Sequence, residues 1–286
     1  MRRYRRIVTA VAIGGSAAIV LGAVPWVSAA EGATGSVVHR TLLTGADTAD
    51  GRFGAANARI GPLHAVRRFY SGALPSRYSK LHVPRGVVAF VSYKTPSRRT
   101  VAFARSCPPG TRIIFHHEPE NDYGGNGAAF VAQYERQYHV LKAANRRLRV
   151  GMAAMSYQYA GGRHGQSGRF LPPASRVDFY AVDNYEAKPS GKGLAADTAF
   201  QHWYRLVRHR GKPLVFAEYG VGVSPVHAKT DRWSHRRAAT FRADRRWLVA
   251  HPAFTTVLYW YNTGARGDWR FRDGSSIAAW RALRNL

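Results

Sequence analysis

Residues 111–122 read TRIIFHHEPEND, and residues 212–220 read KPLVFAEYG. Each is a short apolar run that stops abruptly on charge, the first at Glu118 and the second at Glu218. Continuous apolar runs of this length suit strands buried on both faces, the situation in a parallel sheet covered by helices. Six more such runs lie at 40–45, 65–70, 86–92, 148–155, 177–182 and 255–260. Amphipathic stretches with apolar residues at three- and four-residue steps separate several of them, most clearly within 127–147 and 234–250. From Leu42 in the first run to Thr255 in the last is 213 residues, or roughly 30 per interval, the size of one βα unit. Eight such units predict an α/β chain of (β/α)8 TIM-barrel type, in a single domain. A doubly wound sheet would want a glycine-rich phosphate loop after an early strand, and Thr44-Gly45-Ala46-Asp47 lacks that spacing.

The chain has 286 residues, 45% of them hydrophobic and 12% aromatic, which excludes a largely disordered protein. The single cysteine, Cys107, excludes a disulfide framework and cysteine-rich zinc modules, and reads as a small buried hydrophobe before a strand. Residues 1–30 carry four arginines, then an apolar stretch, then Ser28-Ala29-Ala30, the pattern of a cleaved secretory signal. The expected mature domain is therefore 31–286, exported, with no lasting membrane insertion. Its 43 Lys+Arg against 16 Asp+Glu give a formal charge of +27; losing the four leader arginines leaves +23, so the basicity belongs to the folded domain. Such a surface attracts anionic polymers. Export and the scatter of arginines over helices speak against nucleic acid, whose single-stranded binders interleave basic and aromatic residues along a groove.

In a (β/α)8 barrel the site lies at the C-terminal ends of the strands. Glu118 and Glu218 then face one bowl from different sides, and two opposed carboxyls are the minimum machinery for glycosidic cleavage: one protonates the leaving oxygen, the other attacks or activates water. Glu120 competes for the first role, but Pro119 stops the strand ladder and favours Glu118. His116 and His117 are adjacent and face opposite ways, and no HExxH spacing occurs, so no metal and no cofactor is expected.

At these residues the chain resembles the retaining glycoside hydrolases of clan A, and most closely family 26, the β-mannanase family. His117-Glu118 matches that family's HE segment and Glu218-Tyr219-Gly220 its E-[FY]-G segment, although the Met-Asn-Gly-like continuation is replaced by Pro119-Glu120-Asn121-Asp122. The resemblance implies that Glu118 is the general acid/base and Glu218 the nucleophile, with a glycosyl-enzyme intermediate, acting on a mannan-like polysaccharide in endo fashion. It also implies that Tyr185 hydrogen-bonds the nucleophile and that Trp260, at the end of the eighth strand, stacks on sugar.

His117 is a further candidate for substrate binding, together with Asn184, beside Asp183, and an arginine of the Arg67-Arg68 pair, with Arg68 taken as the substrate ligand. The expected partners are a polysaccharide substrate and an anionic cell-wall polymer, the protein itself being a monomer. The alternative is a non-catalytic carbohydrate- or wall-binding barrel that grips its polymer through the basic surface. For retention, the two carboxyl groups should lie about 5–5.5 Å apart.

Overall fold

The computed structural model describes residues 40–48, 52–222, 233–264 and 267–286; the leader at 1–30 lies outside the described residues. Each of the eight apolar runs overlaps one strand: β1 Leu43–Asp47, β2 Ala65–Tyr70, β3 Val88–Tyr93, β4 Arg112–Phe115, β5 Arg149–Met155, β6 Phe179–Glu186, β7 Leu214–Val221 and β8 Phe254–Trp260. They pair in sequence order, all parallel, and close as a barrel through β1 against β8, with Gly45 opposite Leu258. The helices are α1 Phe53–Ile60, α2 Arg99–Ser106, α3 Pro119–Asp122, α4 Gly127–Ala144, α5 Thr198–Val207, α6 Ser234–Val249 and α7 Gly274–Leu283. The fold is a single-domain (β/α)8 barrel. Among the described residues, no helix is long and apolar enough to cross a membrane.

Two apolar layers hold it. Outside the strands, large aromatic residues such as Phe200, Trp203, Phe216, Phe254 and Trp280 fill the space beneath the helices. Inside, the barrel is filled by Phe90, Ile114, Phe179, Val215 and Leu258 with alanines at 65, 153, 181 and 217. The bore is so narrow that a Cβ on Gly151 would stand 2.4 Å from the Phe179 ring. At the N-terminal end Arg112 closes the bore, its guanidinium 4.7 Å from the Phe90 ring centre and bonded to Thr256.

Towards the C-terminal end the inward positions turn polar: Asp47, Arg67, Ser92 and Asp183 are all buried. Three other acids serve the backbone. Asp197 accepts from the Phe200 N–H and Asp273 from the Ser276 N–H, capping α5 and α7, while Asp178 accepts from the Val150 N–H and pairs with Lys142. Arg40 and the C-terminal Leu286 are tied together beside the barrel seam. The Arg40 and Leu286 backbones exchange hydrogen bonds, and the Arg40 guanidinium donates to the carbonyls of Leu248, Pro252 and Phe254. Cys107 is buried and free, and burial pushes its thiol up to about 12.

Candidate active site

A cleft of about 660 Å³ opens at the C-terminal ends of the strands, lined among others by Asp47, His117, Glu118, Tyr185, Glu218 and Trp260. Its two glutamates arrive there by different local devices. On β7, Phe216 faces the outer layer and Ala217 the bore, so simple alternation would send Glu218 outward. The pairing with β6 slips at this point, Val182 lying opposite Phe216 and the next residue, Asp183, opposite Glu218. This bulge leaves Ala217 as the extra residue and turns Glu218 inward with it. Tyr219 then returns to the outer layer.

On the other side β4 ends at Phe115, three residues short of Glu118. The chain continues through two left-handed non-glycine residues, His116 at φ 50° and Glu118 at φ 51°. Neighbouring strands hold this segment, since the His116 N–H donates to the Tyr93 carbonyl at 2.7 Å and the Glu118 N–H to the Ala153 carbonyl at 2.8 Å. Pro119 then opens α3. Glu120, the competing carboxylate, points away from the cleft; it is fully buried and accepts from the Tyr159 hydroxyl and the Met155 N–H. Burial pushes it up to about 8.

One oxygen from each of Glu118, Asp183 and Glu218 lies within 4.8 Å of the others. The cation among them is Arg67, completely buried, with Nη1 2.7 Å from Glu218 Oε1 and 2.9 Å from Asp183 Oδ1, and Nε 3.2 Å from Ser92 Oγ. The Tyr185 hydroxyl donates to Glu218 Oε2. Asn121 donates to Glu118 Oε2 at 3.1 Å. Asn262 reaches Asp47 Oδ1 at 3.3 Å.

The electrostatics follow from four carboxyls gathered around one guanidinium. Burial, reinforced by the Asp183 carboxylate, pushes Glu118 up to about 7. Burial likewise raises Asp47, to about 6, and Asp183, against the pull of Arg67. Glu218 is raised first by burial and further by Asp183 and Asp47, while the Arg67 contact opposes the rise. The group therefore retains protons near neutral pH. Burial also holds His117 in its neutral form.

His117 stands in the cleft wall against the Phe69 ring, centroids 4.2 Å apart. Trp260 meets the edge of Tyr185 at 6.5 Å, and Trp269 packs on the same tyrosine at 5.2 Å. Of two further expected substrate ligands, Arg68 lies in the cleft wall and Asn184 outside the cleft. Arg68 reaches the cleft wall, but its guanidinium donates to the carbonyls of Leu81, Thr48 and Arg67; the inward member of the pair is Arg67. Asn184 lines a separate pocket with Glu186, Tyr219 and Asp244, because on β6 the inward residues are its neighbours Asp183 and Tyr185. Sequence reasoning gave Asp47 and Lys94 no role, yet both line the cleft, Lys94 paired with Asp122. Their signal was only position, at or just beyond a strand's C-terminal end.

No protein-family model matches the sequence, and no curated protein matches it. Solved structures do share the fold. One is a family 128 (subgroup I) endo-β-1,3-glucanase from Amycolatopsis mediterranei, in a mutant form bound to laminaripentaose, with 17% identity over 84% of this chain and 98% of that one and a TM-score of 0.54. Another is a glucosidase from Croceicoccus marinus, with 12% identity over 85% of this chain and 67% of that one and a TM-score of 0.56. The likeness is one of fold: an eight-stranded barrel used by glycoside hydrolases. The closer resemblance to family 26 finds no support among these matches, whereas the eight-stranded barrel does.

Proposed function

We propose that the protein is a retaining glycoside hydrolase acting on a polysaccharide. The observation that carries this reading is the close pair Glu118 and Glu218, with oxygens within 4.8 Å and unequal surroundings. Retaining enzymes hold their carboxyls about 5–5.5 Å apart, whereas inverting ones leave about 6.5–9.5 Å for a water. Glu118, raised to about 7 and without contact to Arg67, keeps a proton for the leaving oxygen. Glu218 receives both Arg67 and the Tyr185 hydroxyl, the groups that favour its anionic form as nucleophile.

In the first step a Glu218 oxygen bonds to the anomeric carbon as the glycosidic C–O bond breaks, and the Glu118 proton passes to the departing oxygen. In the second, Glu118 takes a proton from water, whose oxygen displaces Glu218. Trp260 offers an aromatic face for the reacting sugar, and His117 a neutral imidazole for its hydroxyls. The same reading has the protein exported through its first 30 residues, and the domain left after their removal drawn by its +23 charge to anionic polymer near its substrate. The sugar itself is chosen by experiment. Mannan follows from the motif resemblance alone, and β-1,3-glucan is added because a laminari-oligosaccharide occupies one protein of this fold.

The deciding experiment incubates the purified full chain with mannans, β-1,3-glucans, xylans and acidic wall polymers, following reducing ends and the anomer first released. Reducing ends with retained configuration are expected, and Glu218→Ala should remove them. Salt-sensitive binding to a wall polymer without any hydrolysis would overturn the enzymatic reading in favour of a carbohydrate-binding barrel.

A further inference from the structure

Glu118 is held by an amide that is itself held. Asn121 lies one turn on, in α3, and grips Glu118 twice: its N–H donates to the Glu118 carbonyl at 3.1 Å and its Nδ2 to Oε2 at 3.1 Å. The other end of the same amide, Oδ1, accepts from Gln158 Nε2 at 2.6 Å and from the Tyr157 hydroxyl at 2.8 Å. Gln158 also donates to the Tyr157 hydroxyl at 3.2 Å, so the three side chains form a closed set. With both donors directed at Oδ1, turning the amide over would set its NH2 against them and lose two hydrogen bonds.

We propose that Asn121 is a positioning residue for the acid/base glutamate: locked by Tyr157 and Gln158, it can only donate to Oε2, which assigns the transferable proton to Oε1. An oxygen that accepts from an amide N–H has its lone pair engaged, and the carboxyl proton belongs on the other oxygen. Oε1 has no hydrogen-bond partner among the described residues and is free to meet the glycosidic oxygen. The left-handed backbone of Glu118 explains why such a grip is useful, since a strained residue outside the strand ladder has few other constraints on its side chain. The inference rests on the hydrolase reading and adds to it which atom delivers the proton and what fixes that atom.

The test is Asn121→Ala in the full chain, with Tyr157→Phe as a milder second variant that removes one of the two locking donors. A donor to the carboxylate favours the ionised form, so its loss should move the alkaline limb of the pH profile upward, by about half a pH unit at this half-open site. Turnover of unactivated glycans should fall about 3- to 10-fold, while aryl glycosides whose leaving groups need no proton should keep their rate. Tyr157→Phe should move the limb the same way by less. A downward move would mean that Asn121 accepts from Glu118 and would overturn the proton assignment; an unmoved limb with uniformly lower activity would reduce Asn121 to a structural role. Titrating carbon-13-labelled glutamate carboxyls by NMR reads the same shift without substrate. If the native chain hydrolyses nothing but the NMR shift appears, the hydrolase reading fails and the positioning of Glu118 stands.

Discussion

The ends of β4 and β7 each present one glutamate to the same cleft, and the two differ in almost everything else. Glu218 sits within a strand, turned inward by a bulge, and touches a buried guanidinium and a tyrosine hydroxyl. Glu118 stands beyond its strand in left-handed backbone, and its one side-chain partner is an amide. The difference teaches that the proposed division between nucleophile and acid rests on surroundings, since the residue type is shared while Glu218 is buried against a cation and a hydroxyl and Glu118 is half-buried against an amide. Arg67 pulls Glu218 toward its anionic form against the burial that raises it, whereas Glu118 has no ion pair among the described residues and feels Arg67 and Lys94 from farther off.

That contrast can be broken from either side. The largest effect should come from Glu218→Ala, which removes the bond-forming oxygen and should lower turnover on every substrate by about 10⁴-fold or more; a variant that still turns over would dissolve the assignment. Glu118→Ala should cost about 10²- to 10⁴-fold on polysaccharide yet spare the first step for activated aryl glycosides, seen as a burst of released aryl group. In the native chain the alkaline limb of kcat/KM should lie near pH 7, because Glu118 must be protonated and is raised to about 7. Arg67→Met leaves Asp183 and Glu218 without their shared cation and should destabilise the fold by about 3–5 kcal/mol in denaturant titration, as expected when one partner of a buried ion pair is removed. Tyr185→Phe removes a single hydrogen bond to the nucleophile, and a loss of about 10- to 100-fold in kcat, with stability little changed, would sharpen its role.

The smallest effect concerns Glu120, the carboxyl that the contrast leaves out. Its folded-state value of about 8 lies above the ordinary 4.5. The folded chain thus binds the extra proton between those values, and its contribution to stability is complete below about 4.5 and lost as pH rises through 8. Replacing it by glutamine should flatten the fall in melting temperature between pH 5 and pH 8, leaving the variant roughly 5 °C ahead of the native chain at the alkaline end. A native melting curve with no decline over that range would contradict the burial assigned to Glu120.

The barrel was legible because parallel strands covered on both faces leave unbroken apolar runs, and eight of them at near-even spacing admit few alternatives. The same property hid which residues face inward. A strand buried on both sides carries no polar–apolar alternation to mark the bore, so Arg68 and Asn184 were as eligible as Arg67 and Asp183, their inward neighbours. Counting in twos from Ala65 would have picked Arg67, had the small residue been taken as the mark of the crowded interior. Glu218 was found by its place in the chain although alternation argues against it, since no sequence signal announces the bulge at Ala217. The left-handed turns at His116 and Glu118 were equally hidden, both falling on residues other than glycine, asparagine or aspartate.

The seam between β1 and β8 joins residues as far apart as Gly45 and Leu258, and the tie between Arg40 and Leu286 lies beside it. Seven of the eight pairings join strands one βα unit apart, but the last waits until nearly the whole chain is present. A chain that stops before Phe254 has no partial version of this architecture to settle into: β1 and β7 would each be left with an unpaired edge, and such edges recruit strands from other molecules. Closure thus hangs on the last strand: without β8 the barrel would keep two open edges, and with it the barrel has none.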